Sequence, residues 1–125
     1  KLNSEDLSSV LSSCDLFWLP LQNTNANRGR WPLKLNDYMT AGRPCVATAV
    51  GDVKFLFDHE PIGVLCQDKP DDLAKKTIDL MGDEESRKRM GLHARSLAEG
   101  PWNWSEKTKD LEEIYSKVTQ GNHRG

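Results

Sequence analysis

A short basic segment in the first third of the chain has the residue types that bind an anion. It begins with Arg28, Gly29 and Arg30 and continues to Lys34. Arginine binds phosphate oxygens through two parallel hydrogen bonds, and glycine lets a ligand approach the backbone closely. Pro32 suits the first turn of a helix, whose free N–H groups and partial positive charge also attract anions. The segment has what a diphosphate needs; a solvated basic loop before an ordinary helix is the alternative.

A carboxylate follows the basic segment on the helix that Pro32 is predicted to open. Asp37 lies about one turn beyond Leu33, where its oxygens could accept hydrogen bonds from the hydroxyls of a ribose. The alternative is an ion pair between Asp37 and Lys34 or Arg43.

The cysteines and histidines show no pattern that predicts a metal site. Cys14, Cys45 and Cys66 are far apart and odd in number, which favours reduced, buried thiols over a disulfide framework. The three histidines are equally scattered, without the spacing of metal ligands. Trp102 and Trp104 could stack on a sugar ring, but core packing is the favoured interpretation.

Length and composition predict one domain with no special affinity for nucleic acid. The chain has 125 residues, 37% hydrophobic and 29% charged, with a formal net charge of −2, as expected for a single core. No apolar run approaches the roughly 20 residues that cross a bilayer, and the polar N-terminus does not resemble a signal peptide. The reduced thiols favour a cytosolic protein, and we expect a cytoplasmic location. The absence of an initial Met suggests a piece of a longer protein.

Hydrophobic periodicity and turn residues divide the chain into alternating helices and strands. Strands are predicted at residues 15–20, 44–48 and 62–66, and a long loop over residues 22–30. Helices are predicted to begin near Asn3, Pro32, Pro70, Asp83 and Ser105, with a short helical turn at residues 53–57. The predicted domain spans residues 1–118, and residues 119–125 are expected to form a flexible tail.

This alternation predicts an α/β fold with a short parallel sheet flanked by helices. Only three strands are predicted, whereas a doubly wound domain has about five or six. We therefore expect an incomplete Rossmann-like domain. Ligands of such sheets bind beyond the carboxyl ends of the strands, and the basic segment follows the first strand.

The motifs after the basic segment form an ordered set. Residues 37–48 read Asp-Tyr-Met-Thr-Ala-Gly-Arg-Pro-Cys-Val-Ala-Thr, and Val50 and Gly51 follow. Further along are Ile-Gly-Val-Leu-Cys at residues 62–66, Asp-Asp-Leu-Ala at 71–74 and Trp-Ser at 104–105. In this order they resemble the C-terminal domain of the retaining, GT-B-fold glycosyltransferases of family 4, the glycosyl transferases group 1.

The resemblance implies a nucleotide-diphosphate sugar as donor and transfer with retention, with no cofactor and no metal. Asp37 matches the second of two acidic residues in the family and would bind the ribose. The first falls on Gly29, so the carboxylate that would hold the donor sugar is absent. Backbone amides from Trp31 to Leu33 would face the diphosphate, assisted by Lys34.

The resemblance also implies a partner domain. The family's N-terminal acceptor domain, and an Arg/Lys pair that neutralises the departing diphosphate, have no counterpart in the sequence. We therefore expect the chain to form the diphosphate and ribose side of the donor site and to be inactive alone. The alternatives are a non-catalytic nucleotide-binding module and a half-domain that self-associates through an exposed edge. Peripheral contact with the inner membrane face is a further option for the longer protein.

Overall fold

The computed structural model describes residues 3–121, in which three parallel strands lie between two layers of helices. The predicted α/β architecture is confirmed. In chain order the elements are α1 (Ser4–Ser12), β1 (Phe17–Leu19), α2 (Asn25–Arg28), α3 (Lys34–Thr40), β2 (Cys45–Thr48), α4 (Gly51–His59), β3 (Gly63–Cys66), α5 (Pro70–Met81), α6 (Glu84–Glu99) and α7 (Trp104–Gly121).

The strands occur in the order β1-β2-β3, and both pairs are parallel. Phe17 pairs with Cys45, and Cys45 pairs in turn with Gly63. The central strand β2 is buried at every position, which explains its continuous apolar sequence. All three strands end at the same edge of the sheet, so the segments that follow them meet there.

Helices cover both faces of the sheet. On one face, Phe17, Leu19 and Ala47 pack with residues of α3 and α4, among them Leu35, Met39, Val53 and Leu56. On the other face, Val46 and Cys66 pack with Leu80 of α5. In residues 3–121, no helix has both the length and the apolar composition needed to cross a lipid bilayer.

Helix α6 joins the two layers at the turn that precedes β2. Its Met90 contacts the cluster on the α5 face, whereas Ala94 and Leu97 belong to the cluster on the α3 face. A Cβ atom at Gly91 would lie 2.2 Å from the carbonyl oxygen of Gly42. The helix therefore lies directly on the backbone of this turn, and only glycine fits at the contact.

Several predicted elements have different bounds in the structure. The prediction of a loop over residues 22–30 is wrong for residues 25–28, which form the short helix α2. Thr24 caps this helix by accepting a hydrogen bond from the Asn27 amide (3.3 Å). The helix predicted from Pro32 begins at Lys34, after a turn in which the Pro32 carbonyl accepts from the Leu35 amide (2.9 Å).

The other differences concern helix length. The short turn predicted at residues 53–57 is the nine-residue helix α4, which starts two residues earlier at Gly51. Helix α7 continues to Gly121, past the boundary predicted at residue 118. The remainder of the predicted tail, residues 122–125, lies outside the described residues. The helix start predicted near Asn3 is confirmed: the Asn3 side chain caps α1 by accepting a 2.8 Å hydrogen bond from the Asp6 amide.

Candidate functional site

An open groove of about 740 Å³ lies at the carboxyl end of β1. One side is the end of the strand and the residues that follow it, 18–21. The opposite side is the segment of residues 30–34, and Tyr38 of α3 completes the lining. We call this depression the basic groove. Its place agrees with the general position of ligand sites in parallel sheets.

Two exposed cations line the basic groove. Arg30 and Lys34 lie four residues apart, and neither has a carboxylate within 4.0 Å in the part of the chain that the structure describes. Several lysines elsewhere are paired, for example Lys88 with Glu84 at 2.6 Å. The charges of the groove are therefore available to an anion.

Backbone amides add to this positive potential. Those of Trp31, Leu33 and Lys34 donate to no acceptor within residues 3–121, whereas the Leu35 and Asn36 amides are bonded to the carbonyls of Pro32 and Leu33. Amides without a protein acceptor at the edge of a charged groove can donate to a bound oxyanion. The residues that line the groove thus carry two full charges and three backbone N–H groups without an acceptor in residues 3–121.

Tyr38 forms an aromatic wall of the groove. Its ring stacks on Phe17 of β1, with centroids 4.1 Å apart and an interplanar angle of 8°. Burial is the main cause that raises the pKa of Tyr38, with Cys45 and Asp37 adding to it. The phenol is therefore neutral near pH 7 and contributes no negative charge to an anion site.

Trp31 is anchored by two contacts that place it at the rim of the groove. Its indole stacks on Trp102, with centroids 5.0 Å apart and an interplanar angle of 19°. Its Nε1–H donates to Asn36 Oδ1 at 3.0 Å. One face of the Trp102 ring is therefore occupied by Trp31. Trp102 and Trp104 do not form a pair of free rings that could stack on a sugar together.

The segment between β1 and α3 is held across the carboxyl ends of all three strands. The hydroxyl of Thr48, at the end of β2, bonds both the amide and the carbonyl of Leu21, each at 2.7 Å. Asn23 donates from its amide to Asp68 beyond β3 at 3.4 Å. The segment is thus tied to the end of β2 and to the loop that follows β3 before it reaches Arg30.

Close packing with α4 fixes the end of α2. Gly51 has a positive φ of 53°, and a Cβ atom there would lie 2.5 Å from the carbonyl oxygen of Arg28. The Arg28 side chain donates from Nε to Asn23 Oδ1 at 2.7 Å. Arg28 therefore serves the packing of the segment and does not line the basic groove.

The predicted site residues separate into two groups. Arg30, Trp31, Leu33 and Lys34 come together in the groove, whereas Arg28, Gly29 and Asp37 do not line it. Gly29 has a φ of −95°, and a Cβ atom there would meet only the Asn25 carbonyl oxygen, at 3.7 Å. Close approach of a ligand to the Gly29 backbone, which the sequence suggested, stays a prediction.

Asp37 faces two smaller depressions beside the groove. One, of about 370 Å³, lies between α1, α3 and α6, and the other, of about 320 Å³, lies towards Trp102. Within the described residues Asp37 has no ion pair, and Arg43 instead donates to the Ser12 carbonyl at 2.7 Å. The alternative of an ion pair with Lys34 or Arg43 is thus not seen.

Tyr38 and the residues 18–21 were not among the predicted site residues. Tyr38 is half-buried, and its ring stacks on Phe17. The sequence could have indicated Tyr38 through its spacing from Lys34, because residues four apart share one face of a helix and Lys34 was a predicted site residue.

Comparisons with known proteins agree with this fold. A curated relative, N-acetyl-alpha-D-glucosaminyl L-malate synthase of Bacillus anthracis, is 26% identical over 122 residues, and the match covers 97% of the chain and 31% of the relative. The chain therefore spans about a third of that relative's length. Sucrose-phosphate synthase from Thermosynechococcus elongatus has a similar structure, with a TM-score of 0.80 and 20% identity over 97% of the chain and 29% of the synthase.

The structural likeness confirms the predicted fold, a short parallel sheet in a Rossmann-like domain of the GT-B type. At the level of sequence, the family described as "Glycosyl transferases group 1" matches residues 1–97. This match includes the whole sheet and every residue of the basic groove. The chain belongs to the glycosyl transferases group 1 family.

Proposed function

We propose that the chain is part of a glycosyltransferase that moves a sugar from a nucleotide-diphosphate donor to an acceptor with retention, and that the basic groove binds the diphosphate. One observation carries this proposal. Arg30 and Lys34, both without a carboxylate partner in residues 3–121, line the same groove as the unbonded amides of Trp31 and Leu33.

These groups suit a leaving group that gains negative charge. When the bond between the sugar and the diphosphate breaks, the departing oxygen becomes an anion. Cations and N–H donors that are already in position stabilise that charge in the transition state. A charge-assisted hydrogen bond contributes about 1.5–3 kcal/mol, so the loss of Arg30 or Lys34 should be measurable.

Asp37 is proposed as the contact to the ribose of the donor. It lies on the same helix as Lys34, three residues further along, and such residues are neighbours on a helix surface. A donor that extends from the groove across α3 would bring its ribose hydroxyls to this carboxylate. The exposed, unpaired state of Asp37 in the described structure supports this role.

Titration of the chain with inorganic pyrophosphate and with UDP, ADP and GDP tests the proposal. We expect binding, and a loss of affinity of about tenfold in each of the Arg30→Ala and Lys34→Ala variants. Lys75→Ala is the matched control, because Lys75 is an exposed cation on α5, away from the groove. Equal affinities in all three variants would contradict the site assignment.

Transfer itself requires a second assay. In the longer glycosyltransferase of which the chain is proposed to be a part, Arg30→Ala should lower the rate of sugar transfer, and Asp37→Ala should weaken donor binding. Binding of nucleoside diphosphates without any turnover would favour the alternative of a non-catalytic nucleotide-binding module. The cytoplasmic location, with or without peripheral membrane contact, stays a prediction.

Self-association is the second candidate function, and helix α7 favours it. Leu111, Ile114, Tyr115 and Val118 form an apolar stripe whose side chains are between 47% and 63% exposed. Such a stripe normally packs against another surface. Sedimentation velocity over a range of concentrations tests this function, and a monomer throughout would exclude it.

A further inference from the structure

The segment that carries the cations of the basic groove has little backbone support. Arg30, Trp31 and Leu33 donate no backbone hydrogen bond to another described residue, and Pro32 has no N–H to donate. The Pro32 and Leu33 carbonyls accept hydrogen bonds from the Leu35 and Asn36 amides, which tie the segment to its own helix α3. Its position against the rest of the fold therefore depends on its side chains. Pro32 is buried and Trp31 half-buried, whereas Arg30 and Leu33 are exposed.

Trp31 is thus a principal anchor of this segment: it packs against the core of the α3 face, and of its two specific contacts one comes from a distant part of the chain. The Asn36 hydrogen bond is local, since Asn36 lies on the following helix. The stack with Trp102 is the long-range contact, and it joins the segment to the connection between α6 and α7.

The connection holds Trp102 firmly. Its amide donates to the Leu97 carbonyl at 2.9 Å, in the last turn of α6. The Lys107 ammonium, in the first turns of α7, lies 5.7 Å from the centroid of the Trp102 ring, within the range of a cation–π contact. Trp102 is therefore in contact with both helices, and its ring stacks on Trp31.

We propose that Trp102 is a positioning residue for the basic groove: its ring fixes Trp31 and, through Trp31, the segment that presents Arg30 and the free amides. The inference rests on the proposed function of the groove as a diphosphate site. Trp102 itself does not line the groove, so its effect on a ligand there is transmitted by Trp31.

Variants of Trp102 in the 125-residue chain test the inference, with inorganic pyrophosphate as the probe. An aromatic pair contributes about 0.5–1.5 kcal/mol. Trp102→Ala should therefore weaken pyrophosphate binding by about two- to tenfold. Trp102→Phe, which keeps a ring for the stack, should restore most of the affinity. Trp104→Ala is the control, because Trp104 is 73% exposed and lies nearby in the chain.

A second measurement follows Trp31 without any ligand. The Trp31 indole N–H is hydrogen-bonded to Asn36, and its rate of exchange with solvent reports how well the ring is held. Exchange measured by ¹⁵N NMR should be faster in Trp102→Ala and close to the original rate in Trp102→Phe and Trp104→Ala. If Trp102→Ala does not fold, Trp102→Leu replaces it with the same expectation, because leucine keeps an apolar side chain but no ring.

The outcomes separate the two proposals. Suppose that the unmodified chain binds pyrophosphate and that Arg30→Ala weakens this binding but Trp102→Ala does not. Only the positioning role of Trp102 is then overturned. If Trp102→Phe is as weak as Trp102→Ala, the ring stack is not the cause and the positioning role is again overturned. If the unmodified chain does not bind pyrophosphate at all, the diphosphate site fails and the inference built on it fails too.

Discussion

The hydroxyl of Thr48 bonds the backbone of Leu21 in both directions. It accepts a hydrogen bond from the Leu21 amide and donates one to the Leu21 carbonyl, each at 2.7 Å. Thr48 is 2% exposed and ends the central strand. One side chain thereby satisfies two buried polar groups of the segment that leads to the basic groove, and it joins that segment to the sheet.

Removal of the Thr48 hydroxyl should destabilise the fold. Thr48→Val has nearly the same shape but leaves the Leu21 amide and carbonyl unsatisfied, and each buried unsatisfied group costs about 1–3 kcal/mol. We expect the free energy of unfolding to fall by about 2–4 kcal/mol in urea titrations. Thr48→Ser keeps the hydroxyl and removes one methyl group, so its free energy of unfolding should fall by about 1 kcal/mol. A Thr48→Val variant as stable as Thr48→Ser would contradict this role.

A methyl group at Gly91 should separate α6 from the turn before β2. The added Cβ would lie 2.2 Å from the Gly42 carbonyl oxygen, so the helix or the turn must move. Gly91→Ala should lower the midpoint of urea unfolding, with a loss of about 1–3 kcal/mol. Gly82→Ala is the control, because a Cβ there would meet nothing closer than 3.5 Å and its φ of −73° suits alanine. An unchanged midpoint in Gly91→Ala would show that the contact is looser than the structure indicates.

The strands and most helices could be predicted from the sequence because local patterns determine them. Continuous apolar runs predicted the three strands, and caps such as Asn3 and Asp83 predicted two helix starts that the structure confirms. The short helix α2 was missed because its cap, Thr24, lies in a polar stretch with no apolar periodicity.

The site was only partly predictable, because its geometry depends on long-range contacts. The side of the groove on which Trp31 lies is set by Trp102, and no local pattern in residues 28–34 indicates that stack. Asp37 was placed with Lys34 from its position in the sequence alone. The structure shows that it lines two depressions beside the groove, which are formed with residues of α1, α6 and the connection to α7 that are distant in the sequence.

A carboxylate introduced at Gly29 should weaken anion binding without harming the fold. The position has an ordinary negative φ and open space around the missing Cβ, so Gly29→Glu should change stability by less than about 0.5 kcal/mol. The new charge lies next to Arg30 and competes with a bound anion. We expect pyrophosphate affinity to fall by about two- to fivefold at low salt, with the difference shrinking as salt is added. Gly29→Gln, which has the same size without the charge, should bind like the original chain.

High pH should destabilise the fold through a thiol of the central strand. Burial raises the pKa of Cys45 above its ordinary value of 9.0, with Cys66 as a smaller cause. Above pH 9 the unfolded chain therefore loses the Cys45 proton while the folded chain keeps it. The folded state then binds more protons, so its stability is fully present below pH 9 and falls as the pH rises further.

Urea unfolding measured from pH 7 to pH 10.5 tests whether the free energy of unfolding falls as the pH rises. The unmodified chain should lose stability above pH 9, by up to about 1.4 kcal/mol per pH unit for a single ionising group. Cys45→Ala will be less stable at neutral pH because it leaves a small cavity, but its alkaline slope should be shallower. Cys14→Ala removes a thiol that is only partly buried and serves as the control. Equal slopes in the Cys45→Ala variant and the unmodified chain would show that another group, such as Tyr38 with its raised pKa, causes the alkaline loss.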